Sequence, residues 1–247
     1  MIGLPVSDQV LTGFLLVYCR VQMCLFAMPG LGDRLLTVRV RVLLAVALTP
    51  LLAVPNPAEI ATVWTLALLA LAEAVTGLVL GLIVRLAAFA LDIAATTIAT
   101  TASLSQIMGV TNDAAPHPIG NLMHLAGLAL LMALGFPVLV SDLLGQSFAV
   151  RPVGGFPDIS TLMPEAVRIV RDSFVLAMVL SAPFILGGIL FQLLSGVVSK
   201  VMPSLPIVFM GAPLAIIMAL VALAILMPAI LNIWAESVMD LSRFGLP

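Results

Sequence analysis

The sequence predicts an all-α fold: a polytopic integral membrane protein of about six apolar segments forming Gly/Pro-kinked helical hairpins. Hydrophobic residues make up 62% of the 247 positions and charged residues 9%, against about 45–50% and about 25% in soluble domains, and mean hydropathy is +1.26. Val201 to Ala235 runs thirty-five residues without a Lys, Arg, Asp or Glu. As one helix it would reach roughly 52 Å, well past a hydrocarbon core of ~30 Å. None of the apolar blocks alternates strictly, and each is too long for a strand, so all are expected to be helices.

The blocks fall in order along a single membrane domain covering residues 1–247. Val10–Met28 is interrupted by Arg20 and closed by Pro29-Gly30; Val38–Val54 starts with Arg39 and Arg41 and ends in Pro50 and Pro55-Asn56-Pro57. Ala61–Leu91 holds Glu73 and Arg85, and Ile119–Val140 follows. Ser173–Val198 contains Pro183 and Gly187-Gly188, which suit a kinked helix. Leu205–Trp234 is expected to follow an irregular turn near Pro203–Pro206 and to bend at Pro213 and Pro228. Met1–Gln9 carries no Lys or Arg, so insertion by the first apolar segment is expected rather than a secretory signal.

Two segments resist a simple spanning pattern. Asp92–Gly109 is uncharged after Asp92 but carries Thr96, Thr97, Thr100, Thr101, Ser103 and Ser105, hydroxyls that suit close helix packing. Ala149–Asp172 is the most polar stretch and reads as a loop beginning at Pro152, Gly154, Gly155 and Pro157, with Met163–Asp172 as a short amphipathic helix. Basic residues give conflicting topology. Arg34, Arg39 and Arg41 place the first loop inside, and six spans then put the Arg-bearing 149–172 loop outside. Re-entrant hairpins, or a charged loop covered by other protein, would resolve the conflict.

Arg20, Glu73 and Arg85 sit at membrane depth, where a centred charge costs about 2.5–3.5 kcal/mol. Each is expected to face protein or water, either as an ion pair of Glu73 with Arg20 or Arg85, or as part of a solute or proton path. Glu73 and Arg85 are twelve residues apart, so they share a face without touching in a straight helix. Gly77 and Gly81 form a small-xxx-small pair that admits a neighbouring backbone. His117 and His124 could share a face and read as structural. Cys19 and Cys24, about 140° apart on a helix, read as free thiols. The sequence offers no metal cluster, nucleophile motif or phosphate-cradling loop, and no basic tract for nucleic acid. No cofactor, metal or catalytic residue is expected, and the chain is not expected to be an enzyme.

Several strings, in this order, resemble the FliR family of the flagellar type III export gate, called SctT in injectisomes. They are Arg20 with Pro29-Gly30-Leu31-Gly32-Asp33 and Val38-Arg39-Val40-Arg41, and then Glu73 through Gly77 to Gly81. Next come Ala90-Leu91-Asp92-Ile93-Ala94 leading to Ser103-Leu104-Ser105-Gln106-Ile107-Met108-Gly109, and Gln146-Ser147-Phe148 with Arg151-Pro152-Val153-Gly154. The last and best is Gly196-Val197-Val198-Ser199-Lys200-Val201-Met202-Pro203 with Val208-Phe209-Met210-Gly211-Ala212-Pro213. Gln192 stands where the family commonly has Asn, and Lys200 where it commonly has Arg.

The resemblance implies a gate subunit in the bacterial inner membrane, at the flagellar basal body. It would assemble with FliP-like and FliQ-like subunits, be surrounded by FlhB-like and FlhA-like export proteins, and conduct unfolded export substrates. It further implies that the loop at 106–116, with Gln106, Met108, Gly109, Asn112 and Asp113, projects into the channel as a plug. From the residues alone an ordinary connecting loop is as good a reading. A small-solute secondary transporter is the alternative function, since broken helices suit one, but it needs a solute site and usually an internal repeat, and the sequence offers neither.

Overall fold

The computed structural model describes residues 6–32, 36–52, 62–101, 118–154, 159–201 and 207–240. It is all-helical over these residues: α1 Val6–Ala27, α2 Val38–Leu52, α3 Val63–Thr101, α4 Pro118–Ala133, α5 Phe136–Val150, α6 Ile159–Val201 and α7 Ile207–Asp240. A helix satisfies its backbone groups internally, which is what so apolar a sequence requires. Among the described residues four helices are long and apolar enough to cross a membrane, or five spans result if α4 and α5 together make one broken span.

Three expected boundaries move. The hydroxyl-rich stretch after Asp92 is a continuation of the third block: α3 runs 39 residues, to Thr101. Its threonines return their hydroxyl protons to their own helix, Thr97 Oγ1 to the Ile93 carbonyl at 2.8 Å and Thr100 Oγ1 to that of Thr97 at 2.8 Å, so polarity does not end the helix. The fourth block is two helices. Gly135 takes φ 89° before α5, whose first turn contains Pro137, and only glycine adopts that conformation without strain.

The polar stretch Ala149–Asp172 is mostly helix, not loop. Ala149 and Val150 close α5, α6 starts at Ile159, and the described non-helical part is 151–154. The expected short helix Met163–Asp172 is simply part of α6, 43 residues long. Glu and Arg are good helix formers, and Glu165 pairs with Arg168 one turn on, so charge alone does not interrupt the helix. Pro183 and Gly196 lie within α6, and Pro213 and Pro228 within α7.

The chain divides into two compact units: Met1–Ala88, Met132–Arg171 and Val238–Pro247 make the first; Phe89–Leu131 and Asp172–Ser237 the second. In the first unit α1 packs on α2, and α2 touches α5, over a core including Leu16, Val21, Leu25, Met28, Leu139 and Leu144. The α1–α2 connection turns on Gly30 at φ 75°, and Arg41 Nε reaches back to the Leu31 carbonyl at 2.8 Å. A Cβ on Gly77 would collide with the Arg20 carbonyl, and one on Gly81 would come within 2.5 Å of the Cys24 carbonyl and 2.7 Å of Ala27 Cβ. Arg20 thus lies beside Gly77 and Cys24 beside Gly81, so α1 and α3 run parallel here with their backbones in contact.

In the second unit, α4 approaches α3 at Gly120 beside Ala95 and at Gly127 beside Leu91, and Ala94, Ile98 and Met123 are buried. A Cβ on Gly127 would strike Leu91 and approach the Trp234 ring at 3.1 Å. Residues 173–184 of α6 still bury Ser173, Ala177, Leu180, Ser181 and Phe184. From Ile185 to Val201 no residue of α6 is buried, although this part is almost wholly apolar.

Replacing Gly81 by Val is expected to force α1 and α3 apart. The cost should reach the upper part of the ~1–3 kcal/mol range for overpacking. The check is the melting temperature and yield of the detergent-extracted protein, with Gly196→Ala, which meets nothing within 4 Å, as a control expected to change neither.

Candidate functional site

The first unit is centred on a charged pair removed from water. Arg20 and Glu73 both have 0% side-chain exposure, with Arg20 Nε 2.6 Å from Glu73 Oε2. The local sequence brings them together. Glu73 is one helical turn before Gly77, and because Gly77 has no side chain, α3 lies directly on the Arg20 backbone. The carboxylate is then level with the guanidinium.

Arg20 also reaches the end of α5. Its Nη1 donates to the Ser147 carbonyl at 3.2 Å, the Ser147 hydroxyl at 3.3 Å and the Arg151 carbonyl at 3.1 Å. The Ser147 carbonyl also accepts from the Arg151 N–H at 2.9 Å, and the guanidinium adds a charged donor from another helix at the end of α5, where the partial charge is negative. Ser147 donates its own proton to the Leu144 carbonyl at 2.8 Å, which leaves its oxygen to accept from Arg20. The guanidinium carbon lies 4.1 Å from the Phe148 ring centroid, a cation–π contact. The second carboxylate oxygen of Glu73 accepts from the Gly154 backbone N–H at 2.7 Å. One ion pair therefore holds α1, α3, the end of α5 and the turn that follows it. Uncompensated, either charge would be very costly at this depth.

A second polar site lies on α3 and α4 in the second unit. His124 Nδ1 is 2.7 Å from Asp92 Oδ1, and these side chains are 32% and 40% exposed. Thr96 and Thr100 continue the Asp92 face one and two turns on, and Asn121 precedes His124 by one turn. An open groove in the first unit, lined by Leu11, Phe14, Leu15, Tyr18, Val46 and Pro50 among others, is apolar apart from hydroxyls and suits hydrocarbon.

The other expected site residues fall as follows. Arg85 is half-buried three turns along α3 from Glu73, and the partner of Glu73 is Arg20. Lys200 is exposed in the last turn of α6. Gln106, Met108, Gly109, Asn112 and Asp113, with Pro203, lie outside the described residues, as does His117. Gly211 and Pro213 are helical, within α7. Cys19 and Cys24 are free thiols. Sequence reasoning missed Ser147, Gly154 and the Asp92–His124 pair. The first two contribute largely through backbone groups, which leave no trace in residue type. The third joins residues thirty-two positions apart.

The family described as bacterial export proteins, family 1, matches residues 11–241. The chain is 28% identical over 232 residues to the flagellar biosynthetic protein FliR of Caulobacter vibrioides, covering 92% of each protein. It is 30% identical over 229 residues to the flagellar biosynthetic protein FliR of Aquifex aeolicus, covering 91% of this chain and 88% of that one.

Removing one member of the buried pair is expected to be severe. Glu73→Met or Arg20→Met should each destabilise by about 3–5 kcal/mol, because the remaining group is left buried without its counter-charge. The double change Arg20→Met, Glu73→Met should recover part of the loss but not all, since the Arg20 bonds to the Ser147 and Arg151 carbonyls are still lost. Thermal melts of the four proteins in detergent test this, and equal, additive losses would show that the two charges act independently.

Proposed function

The chain belongs to the family of bacterial export proteins, family 1, and on that basis we propose that it is a membrane-embedded structural subunit of the flagellar type III protein-export gate, helping to form and close the channel for unfolded export substrates. The observation that carries this reading is the mismatch between its helices and a bilayer. At 1.5 Å per residue, the 39, 43 and 34 residues of α3, α6 and α7 reach roughly 58, 64 and 51 Å. A hydrocarbon layer of ~30 Å covers about half of each. In α6 the exposed apolar residues alone run from Phe174 to Val201, roughly 42 Å of helix, and from Ile185 to Val201 no residue of α6 is fully buried. Apolar surface on this scale beyond the bilayer needs other protein to cover it.

The same need supports the finer assignments. FliP-like and FliQ-like subunits are the proposed cover, in a hetero-oligomer within the bacterial inner membrane at the flagellar basal body, with FlhB-like and FlhA-like proteins around it. The segment 106–116 is proposed as the channel plug. Gly109 allows a sharp turn, Met108 supplies a soft apolar contact, and Asn112 and Asp113 suit a turn facing water. The Arg20–Glu73 pair serves assembly in this reading: it fixes the first unit so that partners meet a rigid surface.

Deleting the gene should abolish secretion of flagellar subunits and the filament, and native-membrane purification of a tagged chain should recover FliP-like and FliQ-like partners. Intact secretion after deletion, or a stable lone chain in the membrane, overturns the proposal.

A further inference from the structure

The open groove of the first unit follows from a difference in helix length. α1 has 22 residues and α2 has 15, roughly 33 and 22 Å of helix. They run antiparallel. Arg41, near the start of α2, bonds the Leu31 carbonyl just past the end of α1, while Val46 and Pro50, in the last turns of α2, line the groove with Leu11, Leu15 and Tyr18 of α1. Leu66 of α3 lines it too. α2 stops at Leu52, before the start of α1 is reached. The cleft that results holds about 650 Å³, within the ~300–1,000 Å³ of small-ligand sites.

The groove lies at a definite depth. Arg20 is beside Gly77 and Cys24 beside Gly81, and the same register brings Val63, the first residue of α3, level with Val6, the first of α1. At that level Trp64 is 72% exposed. Thr62 and Thr65 cap each other there, backbone N–H to Oγ1, at 3.1 and 3.3 Å. An exposed indole at a capped helix start suits the headgroup level of a bilayer. The far end of α1 leads to the turn before Arg39, which is exposed on α2. The ~33 Å between the two ends matches one hydrocarbon core, so α1 fits the bilayer as the longer helices do not. Leu11 and Tyr18 then lie roughly 8 and 18 Å below the level of Val6, within the acyl region of one leaflet.

The wall of the groove is almost wholly carbon, and the Thr49 hydroxyl donates to the Ala45 carbonyl of its own helix at 2.7 Å. Such a cleft does not hold water. Only one mouth is polar, the one at Thr62, Trp64 and Thr65. An amphiphile matches that gradient, whereas an apolar helix from another subunit would be uniform along its length. Neither Met1–Cys19 nor Val42–Val84 contains a Lys or Arg, so nothing there selects a negatively charged headgroup. We propose that the groove is a lipid site: it holds an acyl chain of a zwitterionic phospholipid from the leaflet at the start of α3, with the headgroup beside Thr62 and Trp64. The bound chain completes the packing that the short α2 leaves open. This inference goes beyond the export-gate reading and needs only the membrane setting.

Photo-crosslinking from inside the groove tests it. p-Benzoylphenylalanine is placed at Leu15, and separately at Leu71, which is exposed on α3 and does not line the groove. The full chain is extracted from native membranes with the subunits that accompany it, exchanged into lipid-free detergent and irradiated, and the adducts are identified by mass. A chain held in the groove survives the exchange, so intact phospholipid should be attached roughly fivefold or more often at Leu15 than at Leu71. Val46→Trp, at an exposed position where the ring strains no core, should fill the groove and bring the Leu15 adduct down to the Leu71 level. A Leu15 crosslink to another polypeptide would identify a subunit as the occupant and overturn the proposal. So would phospholipid no more frequent than at Leu71, an adduct that Val46→Trp leaves unchanged, or one composed mainly of anionic lipid.

Discussion

The Arg20–Glu73 pair is the contact on which the described first unit depends. Neither charge touches water, so each is tolerable only while the other is in place. That requirement spreads outward. For Glu73 to come level with Arg20, α3 must lie on the α1 backbone, and glycine at 77 and 81 permits it. The guanidinium finds further acceptors for Nη1 in the Ser147 and Arg151 carbonyls at the end of α5, while its Nη2 is buried without one. For the carboxylate to be satisfied it must have a second donor, and Gly154 N–H provides one. A pair whose desolvation alone would be unfavourable becomes a fastening for three helices and a turn because most of its hydrogen-bonding capacity is directed at backbone groups of other elements.

Outside that centre the governing constraint is the excess of apolar surface. Leu186, Leu190, Leu193, Leu194, Val197 and Val201 on α6, and Leu214, Ile217, Met218, Val221 and Ile225 on α7, are all well exposed. Lipid covers such residues over one bilayer thickness, and α6 and α7 are longer than that. This also accounts for the conflict in the basic-residue pattern. A rule that reads orientation from loop charge presumes that each apolar block is one complete span with water at both ends, whereas here the fourth block breaks at Gly135 and the polar 149–172 stretch is largely absorbed into α5 and α6.

How much of this was legible in the sequence depends on the kind of signal. The helical class and the membrane setting follow from composition, which sums over hundreds of residues and is robust. Arg20, Glu73, Gly77 and Gly81 stood out because a charge or a glycine pair in apolar surroundings is individually expensive or permissive, and the structure brings these four together. Helix limits were less legible. Asp92–Thr101 looked too polar and Met163–Asp172 too charged to belong to the neighbouring helices, because residue type does not reveal that a threonine will bond back to its own helix or that Glu165 will meet Arg168. The choice between Arg20 and Arg85 as partner of Glu73 needed the packing of α1 on α3, and no local pattern encodes that.

The two charged pairs show how the same chemistry takes opposite roles according to its surroundings. Arg20–Glu73 is wholly enclosed, and its guanidinium and carboxylate are fastened to backbone groups on other elements. Any movement of α1, α3 or the end of α5 breaks several charge-assisted bonds together. Asp92–His124 is partly exposed, at 40% and 32%, and the hydroxyls of Thr96, Thr97 and Thr100 donate to their own helix. Water can replace what it loses, so disturbing it locally is cheap. Exchanging their environments would leave one buried charge uncompensated and one fastening dissolved, so the placement of each pair relative to water, more than the presence of charge itself, separates framework from surface in this chain.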